Sequence, residues 1–222
     1  MRPRIDLPWS SIRSQLSSTL GLTESEIVSL ESFDTDKSGL LKTYESMQLA
    51  RLFENACNQQ YMGGKIRGFM HLDNGQESIP ALVADSVKND DKKYSYYREH
   101  THALASGVEP GAIMAELMMK EGGTCKGAGG SMHIFDRSTY FQGGWALVSE
   151  QLPYAAGAAK TILQDRELGL SDGEDFQKRN EGPGEGDDRI SVVFIGEGGS
   201  QNGRMVSGWE EGGGGERALL FL

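Results

Sequence analysis

Apolar residues recur at the spacing of an α-helix in four segments of the chain, and a fifth segment is rich in alanine. These segments cover residues 23–33, 47–61, 79–87, 110–120 and 154–163. Side chains three and four positions apart lie on one face of a helix, so the pattern predicts helices that pack one face against a core. Two other segments differ: Tyr94 to Tyr97 is a short aromatic run, and Ile190 to Ile195 is almost continuously apolar. Both predict strands, and the second is typical of a strand buried on both faces of a parallel sheet.

Polar or glycine-rich residues follow both predicted strands. Arg98 to His102 comes directly after the aromatic run, and Gly196 to Ser200 comes directly after the apolar one. Open α/β sheets bind ligands beyond the carboxyl ends of their strands, so both segments are candidates for a binding site. A third candidate is the loop from Gly122 to His133, because its glycines allow main-chain N–H groups to approach a ligand closely.

The turn after the second strand suggests a particular chemistry. A glycine-rich turn in this position can donate backbone N–H groups to a diphosphate, and a carboxylate within it, here Glu197, needs a cation beside it. Mg²⁺ prefers oxygen ligands and commonly lies between carboxylates and phosphates. The turn therefore indicates a magnesium-bridged diphosphate site, with an exposed glycine loop carrying a solvated Glu as the alternative.

The composition is that of an ordinary globular protein apart from its acidity and its glycine content. The 222 residues include 22 Lys and Arg against 32 Asp and Glu, a formal net charge of −10, and 30 are Gly. Nucleic-acid binding needs clustered Lys and Arg, and a membrane span needs about 18 or more consecutive apolar residues, so we expect neither partner. Cys57 and Cys125 lie outside any C-x-x-C spacing, which predicts reduced thiols rather than a disulfide framework or a zinc ribbon.

We expect an N-terminal extension over residues 1–42 and one domain over residues 43–222. In the first twenty residues Arg2, Arg4 and Arg13 lie among serines with Asp6 as the single acid, a composition typical of organelle transit segments. Within the domain, residues 169–188 are polar, acidic and interrupted by Gly and Pro, which predicts a surface insertion.

The linker from Asp34 to Glu45 matches the residue pattern of a twelve-residue calcium loop. Carboxylates stand at its first, third and twelfth positions, and Gly39 stands at the sixth. Calcium loops usually occur in pairs and this match is single, so a helix–loop–helix junction rich in capping residues is the other interpretation. A calcium-binding module therefore stays open as an alternative function.

Seven strings resemble one family, in the same order along the chain. They are Tyr44-Glu-Ser-Met47, Arg51-Leu-Phe-Glu54, Gly64-Lys-Ile-Arg-Gly-Phe69, His71-Leu-Asp-Asn-Gly-Gln-Glu77, Tyr97-Arg98 with His100, Gly127-Ala-Gly-Gly-Ser-Met-His133 and Gly196-Glu-Gly198. Together, residues 43–163 and 189–205 resemble the alpha subunits of the thiamine-diphosphate-dependent, decarboxylating component of pyruvate dehydrogenase. The resemblance implies an α/β thiamine-diphosphate-binding fold with a mostly parallel sheet flanked by helices.

The resemblance also assigns roles to individual residues. His71 is implied as the catalytic residue that faces the 2-oxo acid, and Glu197 as the metal ligand. The implied cofactor-binding residues are Tyr97, Arg98, Ala146, Val148, Glu197, Gly198 and Gly199. For His100, His102 and His133 we expect structural hydrogen bonds within the loops of the site.

The implied reaction is oxidative decarboxylation of pyruvate with transfer of the acetyl unit to a lipoyl group. The implied cofactors are thiamine diphosphate and Mg²⁺. The implied partners are a beta subunit, in an α₂β₂ assembly, and the lipoyl domain of the acyltransferase component. An alpha subunit of an acetoin or other 2-oxo-acid dehydrogenase is the alternative enzyme. Arg98 to Leu104 and Gly143 to Pro153 are more similar to the plastid form, so we expect the plastid stroma, with the mitochondrial matrix as the alternative.

Three features depart from the family pattern. Glu197 stands where the family has Asp, and Gly208 to Gly215 is too rich in glycine for the helix that the family has there. In the family an Asn that follows the next strand is a second metal ligand, whereas here Arg217 to Leu222 corresponds to that strand and ends the sequence. We therefore expect a C-terminally truncated chain that is incomplete at its C-terminus and inactive alone, or a non-catalytic fragment.

Overall fold

The computed structural model describes residues 18, 23–25, 37–168, 189–203 and 219–221. The chain divides into two compact units, Met1–Lys42 and Thr43–Leu222. The expected insertion at residues 169–188, the glycine-rich segment 208–215, most of the expected helix at 23–33 and most of the first twenty residues lie outside the described residues.

The described residues form five α-helices and four strands. The helices are α1 (Lys37–Met62), α2 (Ser78–Ala84), α3 (His100–Ala105), α4 (Pro110–Leu117) and α5 (Gln151–Leu168). The strands are β1 (Lys92–Tyr96), β2 (Phe141–Trp145), β3 (Ser191–Val193) and β4 (Leu219–Phe221), and short 3₁₀ turns cover Gly130–Met132 and Glu197–Gly199. The α/β prediction is therefore confirmed. None of the described helices is long and apolar enough to cross a membrane.

The four strands make one parallel sheet in the order β2-β1-β3-β4. The order reverses at β1, because the chain goes from β1 to β2 on one side and returns to β3 on the other. All three residues of β3 are buried, which confirms the prediction of a strand covered on both faces. β4 pairs with β3 through Leu219 opposite Ser191, so a strand also forms within the expected segment 217–222.

The core lies in two clusters of buried side chains. In one, α5 packs on the sheet through its apolar side chains, with Tyr94 and Val193 from the strands. The buried α5 residues include Ala155 and Ala159, whose small side chains allow the helix to approach the sheet closely. The other cluster packs Phe53 and Cys57 of α1 with residues of α3 and α4. Both cysteines are free thiols, as predicted.

The calcium-loop interpretation fails over the part that the structure describes. Residues 37–45 are the first turns of α1, so Gly39 and Glu45 belong to a helix rather than to a loop that wraps around a cation. Leu40, Leu41 and Lys42 are good helix formers, and they extend the helix through the glycine. Asp34 and Asp36 lie outside the described residues.

Candidate functional site

The carboxyl ends of β1, β2 and β3 meet around a cleft of about 300 Å³. It lies at the point where the strand order reverses, which is where open α/β sheets bind ligands. Six of the eight residues implied by the resemblance line it: Tyr97, Arg98, Val148, Glu197, Gly198 and Gly199. Gln76, Tyr96, Ser149, Gln151 and Gly196 complete the lining.

The end of β1 brings a fixed positive charge to the cleft. Nη1 of Arg98 donates to the carbonyl of Leu72 at 2.7 Å, and its guanidinium carbon lies 5.6 Å from the ring centroid of Tyr97. A guanidinium has five N–H donors, so the group held in this way keeps donors for an anion. Beside it the hydroxyl of Tyr96 donates to Oε1 of Gln76 at 2.7 Å. Burial raises the pKa of Tyr96, so this hydroxyl stays protonated at neutral pH.

The end of β3 brings a carboxylate and open backbone. Glu197 begins a 3₁₀ turn that is closed by a hydrogen bond from the Gly199 N–H to the Gly196 carbonyl at 2.8 Å. The side chain of Glu197 is exposed and makes no hydrogen bond to a described residue. A Cβ added at Gly196 or Gly198 would have no atom within 4 Å, so the main chain of the turn is open on its outer side.

The end of β2 brings apolar side chains to the rim. Leu147 is 61% exposed and Val148 is 47% exposed, although most residues of the preceding strand β2 are buried. Ala146 is half-buried directly after β2 and does not line the cleft. Apolar side chains left open beside a polar cleft are a surface that a ligand or another chain can cover.

His71 lies behind Tyr97 rather than on the wall of the cleft. Its ring is 5.0 Å from the Tyr97 ring in an edge-to-face arrangement. Burial lowers the pKa of His71, and the positive charge of Arg98 lowers it further. The imidazole is therefore neutral at pH 7, with one nitrogen to donate and one to accept a hydrogen bond.

A buried polar cluster of Glu54, His100 and Ser131 holds the segment that carries His71. Nδ1 of His100 lies 2.6 Å from Oε1 of Glu54, and its Nε2 lies 2.9 Å from the hydroxyl of Ser131. That hydroxyl oxygen accepts the N–H of His71 at 3.1 Å, and Oε2 of Glu54 accepts the N–H of Asp73 at 2.8 Å. The hydrogen bonds predicted for His100 and His102 are present, with Nδ1 of His102 3.1 Å from Ser95 Oγ, but both residues belong to helix α3 rather than to a loop.

The glycine-rich loop from Gly122 to His133 does not present its amides to the cleft. Glu116, buried at the end of α4, accepts hydrogen bonds from the N–H groups of Cys125, Gly127, Gly129 and Gly130 at 2.6–3.2 Å. Burial alone would raise the pKa of Glu116, but the four donors outweigh it and the pKa is lowered. The loop is thus organised around an internal carboxylate. It positions Ser131 for the buried polar cluster.

The residues of the cleft fit a diphosphate bridged by a divalent cation. Arg98 supplies a permanent positive charge, Glu197 an exposed carboxylate, and the turn at Gly196–Gly199 open backbone. Gln151 adds a polar side chain at the inner wall. Its Nε2 donates to the Phe194 carbonyl at 2.8 Å, while its buried Oε1 has no hydrogen-bond partner among the described residues. An acceptor without a donor favours a polar occupant nearby.

Sequence reasoning missed four residues of the lining. Gln76 belongs to the motif that runs from His71 to Glu77, but its position in that motif does not indicate that it faces the same cleft as Glu197. Tyr96 was part of the aromatic strand, where alternation could have placed it next to Arg98. Ser149 and Gln151 lie one and three residues after Val148, and only the backbone path after β2 shows that they face the cleft.

Comparisons with known proteins agree with this geometry. The sequence pattern of the family described as "Dehydrogenase E1 component" matches residues 45–210. The pyruvate dehydrogenase E1 component subunit alpha-3, chloroplastic, of Arabidopsis thaliana is 39% identical over 165 residues, which are 74% of this chain and 35% of the relative. The pyruvate dehydrogenase E1 component subunit alpha of Porphyra purpurea is 40% identical over 169 residues, 76% of this chain and 45% of the relative.

The subunit of the same name from Rickettsia prowazekii is 42% identical over 129 residues, 58% of this chain and 40% of the relative. The parallel sheet and the match over residues 45–210 define an α/β protein of the dehydrogenase E1 component class. The chain belongs to the dehydrogenase E1 component family, and the relatives described here are pyruvate dehydrogenase alpha subunits. It spans less than half the length of these curated relatives.

Proposed function

We propose that this chain acts as the alpha subunit of a pyruvate dehydrogenase and binds thiamine diphosphate with Mg²⁺ in the cleft. The observation that carries the proposal is the meeting of Arg98, Glu197 and the open turn at Gly198 around one cavity of about 300 Å³. A positive side chain, a carboxylate and open backbone in one place match the three needs of a metal-bridged diphosphate. Residues 43–222, with the polar insertion at 169–188, would be the dehydrogenase domain.

Each cleft residue then has a task that suits its chemistry. Arg98 and the neighbouring Tyr97 hold the diphosphate end, because the guanidinium is permanently charged and already oriented by Leu72 and the Tyr97 ring. Glu197 would hold Mg²⁺, and the main chain at Gly198 and Gly199 would lie beside the phosphates. The backbone of Ala146 and Val148 would receive the aminopyrimidine ring.

His71 orients the 2-oxo acid. When bound, thiamine diphosphate supplies the electron sink for decarboxylation. The neutral imidazole of His71 can donate a hydrogen bond to the substrate carboxylate and can move a proton at one ring nitrogen. Its contact with the Tyr97 ring and the anchored backbone N–H fix where the ring points.

Glu197 is one methylene longer than the Asp that the resemblance leads one to expect. The exposed position of its side chain supports the proposal that it still reaches a cation, because the longer chain has room on the open side of the turn. Glu197→Asp keeps a carboxylate, the type of ligand that Mg²⁺ prefers, so this variant is expected to retain Mg²⁺ binding.

A beta subunit would complete the cleft in an α₂β₂ assembly. The exposed Leu147 and Val148 at its rim support this, and so does Phe69, which is 77% exposed next to the segment that carries His71. The family pairs an alpha with a beta subunit. The acetyl unit would leave on the lipoyl domain of the acyltransferase component.

The test is turnover by this chain co-expressed with a beta subunit, with an oxidised lipoyl domain supplied as the acceptor of the acetyl unit. Pyruvate-dependent CO₂ release that needs both thiamine diphosphate and Mg²⁺, and that falls in His71→Ala, is expected. Acetoin or a branched-chain 2-oxo acid as the better substrate would favour the alternative dehydrogenases. No release with any of these substrates, in an assembly that retains the cofactor, would contradict the proposed reaction.

We propose an organelle location, with the plastid stroma ahead of the mitochondrial matrix. Relatives from Arabidopsis thaliana and Oryza sativa carry the word chloroplastic in their names, and the first twenty residues are rich in Arg and Ser. A fluorescent protein fused behind residues 1–42 should accumulate in the organelle. Diffuse fluorescence throughout the cell would contradict the proposal.

A further inference from the structure

Ser149 has a backbone conformation that its residue type disfavours. Its φ is +65°, in the left-handed region, where a side chain costs energy and glycine does not. Four non-glycine residues have positive φ in the described part of the chain, and Ser149 is the one of them that lines the cleft. Backbone strain beside a binding site favours a functional role for the side chain, here the hydroxyl group that glycine lacks.

The hydroxyl of Ser149 connects two segments of the site that are far apart in sequence. Its Oγ donates to the carbonyl of Gly199 at 2.9 Å, across 50 residues of chain, and the side chain is buried. Gly199 belongs to the turn that carries Glu197. Ser149 itself follows Val148 at the end of β2, and its carbonyl accepts the N–H of Leu152 at 3.3 Å where α5 begins.

The fit around this hydrogen bond is close. A Cβ added at Gly199 would lie 2.9 Å from Oγ of Ser149 and 3.9 Å from Cγ1 of Val148. The turn at Glu197 is otherwise open on its outer side, so the contact with Ser149 is its inner support. A change at Ser149 would therefore be felt directly by the main chain that carries Glu197.

We propose that Ser149 is a positioning residue that clasps the turn at Glu197 to the end of β2. The clasp fixes the distance between the backbone at Val148 and the backbone that carries Glu197, and the proposed function assigns these two places to the two ends of one cofactor. The inference rests on that proposed function for its consequence in binding. The clasp itself is a property of this chain, so it can be tested separately.

Two substitutions separate the clasp from the strain. Ser149→Ala removes the hydroxyl and keeps a side chain at positive φ, whereas Ser149→Gly removes the hydroxyl and relieves the strain. Ser149→Gly should therefore unfold at a higher temperature than Ser149→Ala. Ser106→Ala is a matched control, because Oγ of Ser106 also donates to a backbone carbonyl, that of His102 at 2.8 Å, and Ser106 does not line the cleft.

The first measurement is amide hydrogen exchange of the peptide spanning residues 196–203. Both Ser149 variants should exchange about three- to tenfold faster there, as expected for the loss of one hydrogen bond, and Ser106→Ala should not. Unchanged exchange of this peptide in both variants would overturn the inference. This measurement needs no cofactor, so it decides the clasp even if the proposed function fails.

The second measurement is the affinity of the chain for thiamine diphosphate and Mg²⁺ with a beta subunit present. Both Ser149 variants should bind about three- to tenfold more weakly than wild type, although their unfolding temperatures differ. A purely structural serine would give affinities that follow stability, with Ser149→Gly binding like wild type, and that result would overturn the positioning role. A wild-type assembly that binds no thiamine diphosphate would contradict the proposed function instead.

Discussion

Two glycine-rich segments of this protein each contain or face one glutamate, and they use it in opposite ways. In the loop that follows α4, four backbone N–H groups turn inward onto the buried Glu116. In the turn that follows β3, the backbone at Gly196 and Gly198 is open and Glu197 is exposed. The same residue types therefore make a structural support in one place and a candidate ligand site in the other. What differs is whether neighbouring backbone N–H groups donate to the glutamate, as four do to Glu116.

The largest expected difference between the two glutamates is in stability, and it is measured by removing each carboxylate in turn. Glu116→Ala leaves four donors without their acceptor, and we expect it to lower the free energy of unfolding by about 3–5 kcal/mol. Glu197→Ala should change it by less than about 0.5 kcal/mol, because an exposed side chain without hydrogen bonds has little to lose. Urea denaturation of both variants measures the difference.

Glu116→Gln is the control for charge. Its amide oxygen can still accept part of the four hydrogen bonds, so its loss of stability should fall between those of wild type and Glu116→Ala. Equal stability losses in Glu116→Ala and Glu197→Ala would show that the two glutamates do not differ as described.

Substitutions of Arg98 test whether the cleft is a binding site for a diphosphate. Arg98→Ala should weaken thiamine diphosphate binding by about ten- to a hundredfold, because charge-assisted hydrogen bonds to phosphate are lost. Arg98→Lys should bind at an intermediate level, since it keeps the charge and loses the planar donor fork. Titration followed by tryptophan fluorescence measures the affinity. Binding that is the same in all three proteins would mean that the diphosphate lies elsewhere.

Two buried groups of the interior have pKa values shifted in opposite senses. Burial raises the pKa of Asp73 to about 7 and lowers the pKa of His102 to about 4. Between about pH 4 and 6.5 a raised carboxyl pKa makes stability fall as pH rises, whereas a lowered histidine pKa makes stability rise with pH. The two slopes, each up to about 1.4 kcal/mol per pH unit, oppose each other in the wild-type chain.

Single substitutions should uncover these slopes relative to wild type. Asp73→Asn leaves the His102 contribution, so stability should rise more steeply from pH 4 to 6.5. His102→Gln leaves the Asp73 contribution, so stability should rise less steeply or fall over the same range. Unfolding temperatures measured at half-unit pH steps test both. Parallel curves for all three proteins would contradict the assigned titrations.

The smallest expected effect concerns the hydrogen bond at the rim between Tyr96 and Gln76. Tyr96→Phe removes one neutral hydrogen bond at a partly exposed site, so the free energy of unfolding should fall by less than about 1 kcal/mol. Thiamine diphosphate affinity should change by less than about threefold. A tenfold or larger loss of affinity would contradict this expectation and show that the Tyr96 hydroxyl binds the cofactor directly.

Much of the fold could be predicted because its signals are local. The apolar run at Ile190 to Ile195 has the pattern of a buried parallel strand and forms β3, although only Ser191 to Val193 is strand, because the chain turns toward Gly196. Helix α4 begins at Pro110 as predicted and ends at Leu117, three residues earlier than predicted, since Met119 has positive φ. Calcium-loop spacing, in contrast, was matched by a segment that is helical from residue 37 onward.

The candidate site was predicted less evenly. The ends of the predicted strands and the motifs of the resembled family indicated Arg98 and Glu197, and both residues line the same cleft. The glycines of the loop at residues 122–130 did not indicate that its N–H groups point inward. That direction depends on the carboxylate of Glu116, which lies at the end of the preceding helix α4. The role of Ser149 depends on a backbone conformation that serine rarely adopts, and no residue pattern signals it.

The most direct test of the account is calorimetric titration of thiamine diphosphate with Mg²⁺ into the chain assembled with a beta subunit, for wild type, Glu197→Gln and Glu197→Asp. We expect binding to wild type that requires Mg²⁺, a loss of about tenfold or more in Glu197→Gln, and retained binding in Glu197→Asp. Equal binding by wild type and Glu197→Gln, or binding that does not depend on Mg²⁺, would contradict the claim that this cleft holds a metal-bridged diphosphate.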